Sequence, residues 1–275
     1  MTRTPHPAVL AALVAVLPGC GCNGNHDVAR PYPAPGVADV LAHLETTRTA
    51  ATSFRAESVM DYWVGKQRVR GTVLVMGKVG ARMRFNALNP TGGNVAADLA
   101  CDGVDFAFID YNDNCQLVGP CTGRSIAQLL RVDLEPDDFL LLAVGSTPVL
   151  PGAEGTLTWD SEHGYEVLEL TSGATGYSQK IVIDGRRGRD RWAVIESLVR
   201  DEHGNTEWHL ENKDFSLLTA DDGTVLVVPG KTRFRQPKEK ADLIVDWKKR
   251  EVNLPLGDDK WQIEIPVGLR SCGEK

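Results

Sequence analysis

Apolar residues change their spacing several times along this chain, and each change marks a different element. Residues 8–17 carry no polar side chain, a run too short to span a bilayer as a helix. Further on, Val37, Val40, Leu41, Leu44 and Ala51 fall near one face at helical spacing, with Asp39 and Glu45 elsewhere on the wheel. The period then drops to two, which predicts strands over 54–64, 69–76, 81–88, 95–101 and 104–110. Gly65-Lys66-Gln67 and Gly77-Lys78-Val79-Gly80 supply turns, and Asp102-Gly103 is a two-residue hairpin signal. Residues 125–134 and 136–144 return to helical spacing through Ile126, Leu129, Leu130, Phe139, Leu140 and Leu142, with Ser125 as a cap and Pro136 at a helix start. Strands resume over 155–159, 165–170, 177–183, 193–200, 207–212 and 224–228, and the tail offers 243–247 and 261–265. Short strands at this rhythm argue for a mainly β (α+β) chain whose antiparallel sheet curls or closes, with an N-terminal helix and a helical insertion at about 125–145.

The first run changes meaning once its flanks are read. Arg3 lies ahead of it, and Leu17-Pro18-Gly19-Cys20 follows at once. A charged start, an apolar stretch and small residues before a cleavage point describe an export signal, and the last four residues resemble the lipobox of bacterial lipoproteins. Pro18 departs from the usual small residue at its position. The resemblance implies a signal peptide over 1–19 and a lipid-bearing Cys20. Gly21, which is not Asp, implies release to the outer membrane in bacteria that sort by that residue. Several acyl chains give firm anchoring where one gives only marginal binding. Residues 20–36, with Pro31, Pro33 and Pro35, read as an extended tether, and 37–275 as one domain.

With 42% hydrophobic residues the chain can bury a sizeable core. A formal charge of -7 and the lack of a dense basic patch argue against nucleic acid. The run Arg186-Arg187-Gly188-Arg189-Asp190-Arg191 reads as a solvated turn. If Cys20 is acylated, Cys22, Cys101, Cys115, Cys121 and Cys272 remain, and export permits disulfides. Proximity favours Cys101 with Cys115 or Cys121 and leaves one thiol over; spacing does not fix connectivity. No zinc-type spacing, H-E-x-x-H, G-x-S-x-G or phosphate-binding loop is present. The sequence therefore predicts no metal, no cofactor and no catalysis.

From Ser53 to about Val149 the order of features resembles the LolA/LolB-like lipoprotein carriers and receptors. The carrying segments are Ser53-Phe54-Arg55-Ala56, Arg68-Val69-Arg70-Gly71, and Arg82-Met83-Arg84-Phe85-Asn86-Ala87-Leu88-Asn89-Pro90. Asp102-Gly103 and the strand over 104–110 follow, then the two helices in the place of that family's lid. The resemblance implies an incomplete antiparallel β-barrel closed by helices, with an apolar interior for acyl chains or another hydrophobic ligand. Alternation then aims Met83, Phe85, Phe106 and Phe108 inward, with Leu129, Leu130, Phe139 and Leu140 from the lid. For all eight the alternative is ordinary core packing. The anchored receptors carry a projecting apolar residue after the Asn-Pro, where this chain has Thr91-Gly92-Gly93. The resemblance implies an outer-membrane lipoprotein on the periplasmic face, held through its lipid, with an apolar ligand and scope for an envelope protein partner. Its rivals are a non-catalytic structural or interaction lipoprotein and a lipid-anchored hydrolase.

Overall fold

The computed structural model describes residues 27–64, 66–90, 93–130, 134–188 and 191–272, so Cys20, Cys22, Thr91, Gly92 and the side chains of Leu129 and Leu130 lie outside the described parts. Helix α1 (Val37–Ala50) opens at Gly36, whose N–H donates to Asp39 Oδ2 at 2.8 Å. It buries Val40 and Leu44 against Leu168, Leu170, Ile181, Ile183 and Val194, with Val37 and Leu41 at the margin.

Six antiparallel neighbours follow: β1 (Ser53–Val64), β2 (Gln67–Lys78), β3 (Arg82–Leu88), β4 (Val95–Asp102), β5 (Asp105–Asp110) and β6 (Cys115–Pro120). Two short helices, α2 (Gly123–Leu130) and α3 (Pro136–Ala143), lead to β7 (Ala153–Asp160), β8 (Tyr165–Ser172), β9 (Ser178–Asp184), β10 (Ala193–Arg200) and β11 (Thr206–Lys213). After a separate hairpin, β12 (Ser216–Thr219) with β13 (Val225–Val228), come β14 (Lys231–Gln236) and β15 (Ala241–Val252). The strand β16 (Arg270–Ser271) pairs parallel with β6. One sheet of 14 strands results, with β7 and β16 at its unjoined edges. It is a curled sheet that does not close into a barrel, as the sequence predicts.

The two halves meet where β15 lies beside β1 along its whole length. Their register slips between Glu57 and Ser58, leaving Lys248 as the extra residue. Such a bulge shifts the side-chain phase of its strand by one. Leu243 and Val245 are buried before it, and Arg250 and Val252 turn inward after it. The main core fills the space between the curled strands and α3, and the smaller one lies under α1.

Three sequence readings change here. The stretch 261–265 is not a strand: Trp261 ends a 3-10 turn (Asp258–Trp261) and is buried, and this turn packs on β3 and β4. Part of the expected tether is docked. Val28 N–H donates to Ser161 O, Trp159 Nε1 donates to Val28 O, and Tyr32 sits between Trp159 and Trp192. Proline composition reports an extended backbone but not the distant aromatic residues that receive it. The cysteines pair as Cys101–Cys121 and Cys115–Cys272. The first was one of the two pairings favoured from proximity. The second spans 157 positions and depends on the tail crossing to β6. Closing so long a loop restricts the unfolded chain, so the double variant Cys115→Ser/Cys272→Ser should lose about 2–5 kcal/mol. Urea midpoints of the two proteins check this value.

Candidate functional site

Alternation along β1 and β2 places Phe54, Met60, Tyr62, Val73 and Val75 on the inner face of the curl, and these side chains surround a cavity of about 350 Å³. Phe85, Ala87, Ala97, Leu99 and Phe108 continue the wall across β3, β4 and β5. The other side comes from the far end of the chain: Thr232, Phe234, Leu243, Val245 and Trp247. Phe139 and Leu142 of α3 form the floor, Phe139 edge-on to Phe85 with ring centres 5.6 Å apart. At the floor, a Cβ on Gly77 would stand 2.4 Å from the Phe54 ring, so glycine is required for that ring to lie flat against β2. The mouth is marked by the exposed residues Val69, Arg70, Pro90 and Asn112.

On the β14–β15 side of the wall the hydroxyl of Thr232 and the indole of Trp247 are paired in a chain that runs back into the core. Trp247 Nε1 donates to Thr232 Oγ1 at 3.1 Å, Thr232 Oγ1 donates to Asn212 Oδ1 at 2.9 Å, and Asn212 Nδ2 donates to Val194 O at 3.0 Å. A ligand in the cavity therefore meets apolar surface and displaces no partner from these groups. Pockets lined this way bind by burying apolar area, with orientation left to the few polar groups at the rim.

The floor is fastened at several points. Ala81 N–H donates to Asp137 Oδ1 at 2.8 Å, and Gly123 N–H donates to Glu135 Oε2 at 3.2 Å. Arg250, turned inward by the bulge, donates to Ala143 O at 2.6 Å and Pro229 O at 2.5 Å, with its guanidinium 5.2 Å from the Trp247 ring centre. Burial pushes its pKa down to about 10, so it stays charged at neutral pH. The Cys101–Cys121 disulfide joins β4 to the entrance of α2.

Asp138 adds a pH term to this floor. Burial is the main cause that pushes its carboxyl up to about 6; a backbone hydrogen bond at Glu135 pulls it down, and the charges of Glu135 and Asp137 push it up again. A raised folded-state pKa means that the stabilising proton is held below about pH 4 and lost as pH rises through 6. With solvent screening allowed for, the charged form costs about 1–2 kcal/mol. Asp138→Asn should therefore raise the melting temperature by about 3 °C at pH 7.5 and leave it unchanged at pH 4, as melting curves at the two pH values will show.

Of the eight predicted cavity residues, Phe85, Phe108 and Phe139 line the wall. Met83, Phe106 and Leu140 are buried in the adjoining core and do not line the cavity. Only the helical backbone of Leu129 and Leu130 is described. The C-terminal wall had one readable signal, the alternation Leu243, Val245, Trp247; nothing local says that this strand lies against β1.

Charged side chains on the sheet pair across strands. His209 Nε2 donates to Glu196 Oε1 at 2.9 Å, while Arg235 donates to His209 Nδ1 and to Glu211. The His209 contact is the first of the causes that hold the Glu196 carboxyl down at about 2. Among the described residues no group of three or more His, Cys, Asp or Glu could hold a metal ion. None of their helices is long and apolar enough to cross a membrane.

Comparison of the backbone with solved structures places this architecture. A DUF1329 family protein from Desulfovibrio piger matches 83% of this chain and 98% of its own, with a TM-score of 0.54 at 15% identity. A LolA superfamily protein from Nitrosomonas europaea matches 84% and 99%, with a TM-score of 0.52 at 11% identity. A candidate outer-membrane lipoprotein-sorting domain from Vibrio parahaemolyticus matches 82% and 95%, with a TM-score of 0.51 at 9% identity. The fold is LolA/LolB-like. No family model matches the sequence, and no curated protein matches it.

Proposed function

We propose that this chain is an envelope lipoprotein whose half-barrel binds an acyl chain or a similar apolar ligand and performs no catalysis. The observation that carries the reading is the largely apolar cavity in whose wall the Thr232 hydroxyl and the Trp247 indole are already paired. The LolA/LolB-like fold and the lipoprotein-sorting description of the Vibrio relative support it. The two disulfides fit an oxidising compartment outside the cytoplasm. In this reading Cys20 carries the lipid and the domain stands on the periplasmic face of the outer membrane. Gly93 and Asn94, the described residues of the loop after Pro90, are exposed, and neither has an apolar side chain to insert into a bilayer. Ligand binding is accordingly proposed without delivery by that loop.

The test is uptake of a fluorescent fatty acid by delipidated protein in which Cys20→Ser removes the attached acyl groups. Saturable one-to-one binding is expected, and no binding would overturn the reading. Radiolabelled palmitate fed to producing cells should label the parent and not the Cys20→Ser protein.

A further inference from the structure

We infer that the docked N-terminal segment holds the domain with its cavity mouth directed away from the bilayer that carries Cys20, so that ligand is exchanged on the aqueous side, with a soluble protein partner. The inference rests on the proposed lipid at Cys20 and adds a direction to the proposed ligand binding. The register of the sheet carries it. At the mouth end Val64 lies opposite Ala241, and Ala241 opposite Gln236; farther along the sheet the same end holds Arg200, opposite both Thr206 and Ser178. At the other end Asp184 lies opposite Ala193, and Asp160 opposite Tyr165. The docked segment sits on the turns of this second end. Val28 N–H donates to Ser161 O at 2.7 Å, and Tyr32 lies between Trp159 and Trp192.

The segment is fastened there by polar and apolar contacts together. Arg30 gives the buried Glu166 carboxylate two hydrogen bonds, and Trp159 Nε1 donates to Val28 O at 2.8 Å. A Cβ on Gly185 would stand 2.4 Å from Tyr32 Oη, so glycine is what lets that ring lie on the β9–β10 turn. Val28 is eight positions after Cys20, and a fully extended chain of that length reaches at most about 28 Å. Strand β1 has 12 residues, which is about 40 Å of strand, or about 30 Å along the axis of a sheet tilted as barrel strands are. A tether that starts at the far end therefore falls short of a bilayer facing the mouth, even when fully extended. At the rim Val69 is 67% exposed and Tyr111, next to Asn112, is 42% exposed. Turned from the anchor's bilayer, this apolar rim fits an apolar patch on a soluble protein that gives or takes the ligand.

Energy transfer from the lipidated full chain to its own bilayer tests this. In a Cys22→Ser background, Val69→Cys at the mouth or Glu162→Cys in the exposed β7–β8 turn carries a donor fluorophore, attached without reductant so that both disulfides persist. The protein is reconstituted in vesicles of phosphatidylethanolamine and phosphatidylglycerol that contain a headgroup-labelled acceptor. Transfer from position 162 should exceed transfer from position 69 severalfold. Equal or stronger transfer from position 69 would overturn the orientation. An insertion of about 20 Gly and Ser residues after Gly24 adds roughly 25 Å of root-mean-square reach, so it should raise transfer from position 69 towards that from 162; a pattern unchanged by the insertion would overturn the part given to the tether. Cys20→Ser should release the protein from the vesicles. Undiminished vesicle binding by that variant would overturn the anchor and the orientation with it. Fatty-acid uptake plays no part in this readout, so failure of the ligand reading and failure of the orientation are separate results.

Discussion

Ala97→Phe is expected to lower affinity for a long-chain fatty acid about 100-fold and to leave the fold intact. Ala97 lies on the wall opposite Ala87 of β3, where both side chains leave the space open. A phenyl ring at this position fills volume that the ligand would otherwise occupy. Displacing about four methylenes forfeits roughly 3 kcal/mol at about 0.8 kcal/mol each, which is about two decades in Kd. The ring meets apolar neighbours, so little stability is at stake. Titration calorimetry gives the affinity and a melting curve gives the stability. Undiminished binding with normal melting would place the ligand elsewhere.

The second large effect concerns the docked N-terminal segment. Glu166 is completely buried, and Arg30 meets its carboxylate with two hydrogen bonds, from Nε at 2.8 Å and Nη2 at 3.1 Å. Tyr32 lies beside the pair; burial first, then the charge of Glu166, push its pKa up to about 12. Removing one partner of a buried pair leaves an uncompensated charge, whereas replacing both is much milder. Arg30→Met should cost about 3–5 kcal/mol, and Arg30→Met/Glu166→Gln should recover most of that loss. Chemical denaturation of the four proteins of the cycle measures the coupling. A single-variant loss below about 1 kcal/mol would mean that the segment does not neutralise Glu166.

What the sequence reveals follows from the range of each interaction. Period-two alternation is local, so β1 to β5 and most of β7 to β11 were readable, along with the inward face of Phe85 and Phe108. Alternation gives the face of a strand but not the depth along it. Met83 and Phe106 share that inward face and are packed in the core beside the cavity. The lid helices were readable from apolar spacing, and Phe139 from its place on that face. Contacts between distant segments left no local trace. The sequence gives no sign that β15 joins the two halves, that Cys115 meets Cys272, or that Val28 to Tyr32 lie against Trp159 and Trp192. The strand β14 reads as Lys-Thr-Arg-Phe-Arg-Gln, with Phe234 its one large apolar residue, too sparse a pattern to mark a strand.

Native mass spectrometry of the chain from Asn23 onward, produced in the periplasm without its anchor, tests the central claim most directly. The account predicts a population heavier than the bare polypeptide by the mass of an acyl lipid or a similar apolar molecule. That population should disappear on delipidation, return on incubation with fatty acid and be absent from Ala97→Phe. A bare mass that persists after incubation with acyl lipids would contradict the account and leave the domain as a non-catalytic structural or interaction protein of the envelope.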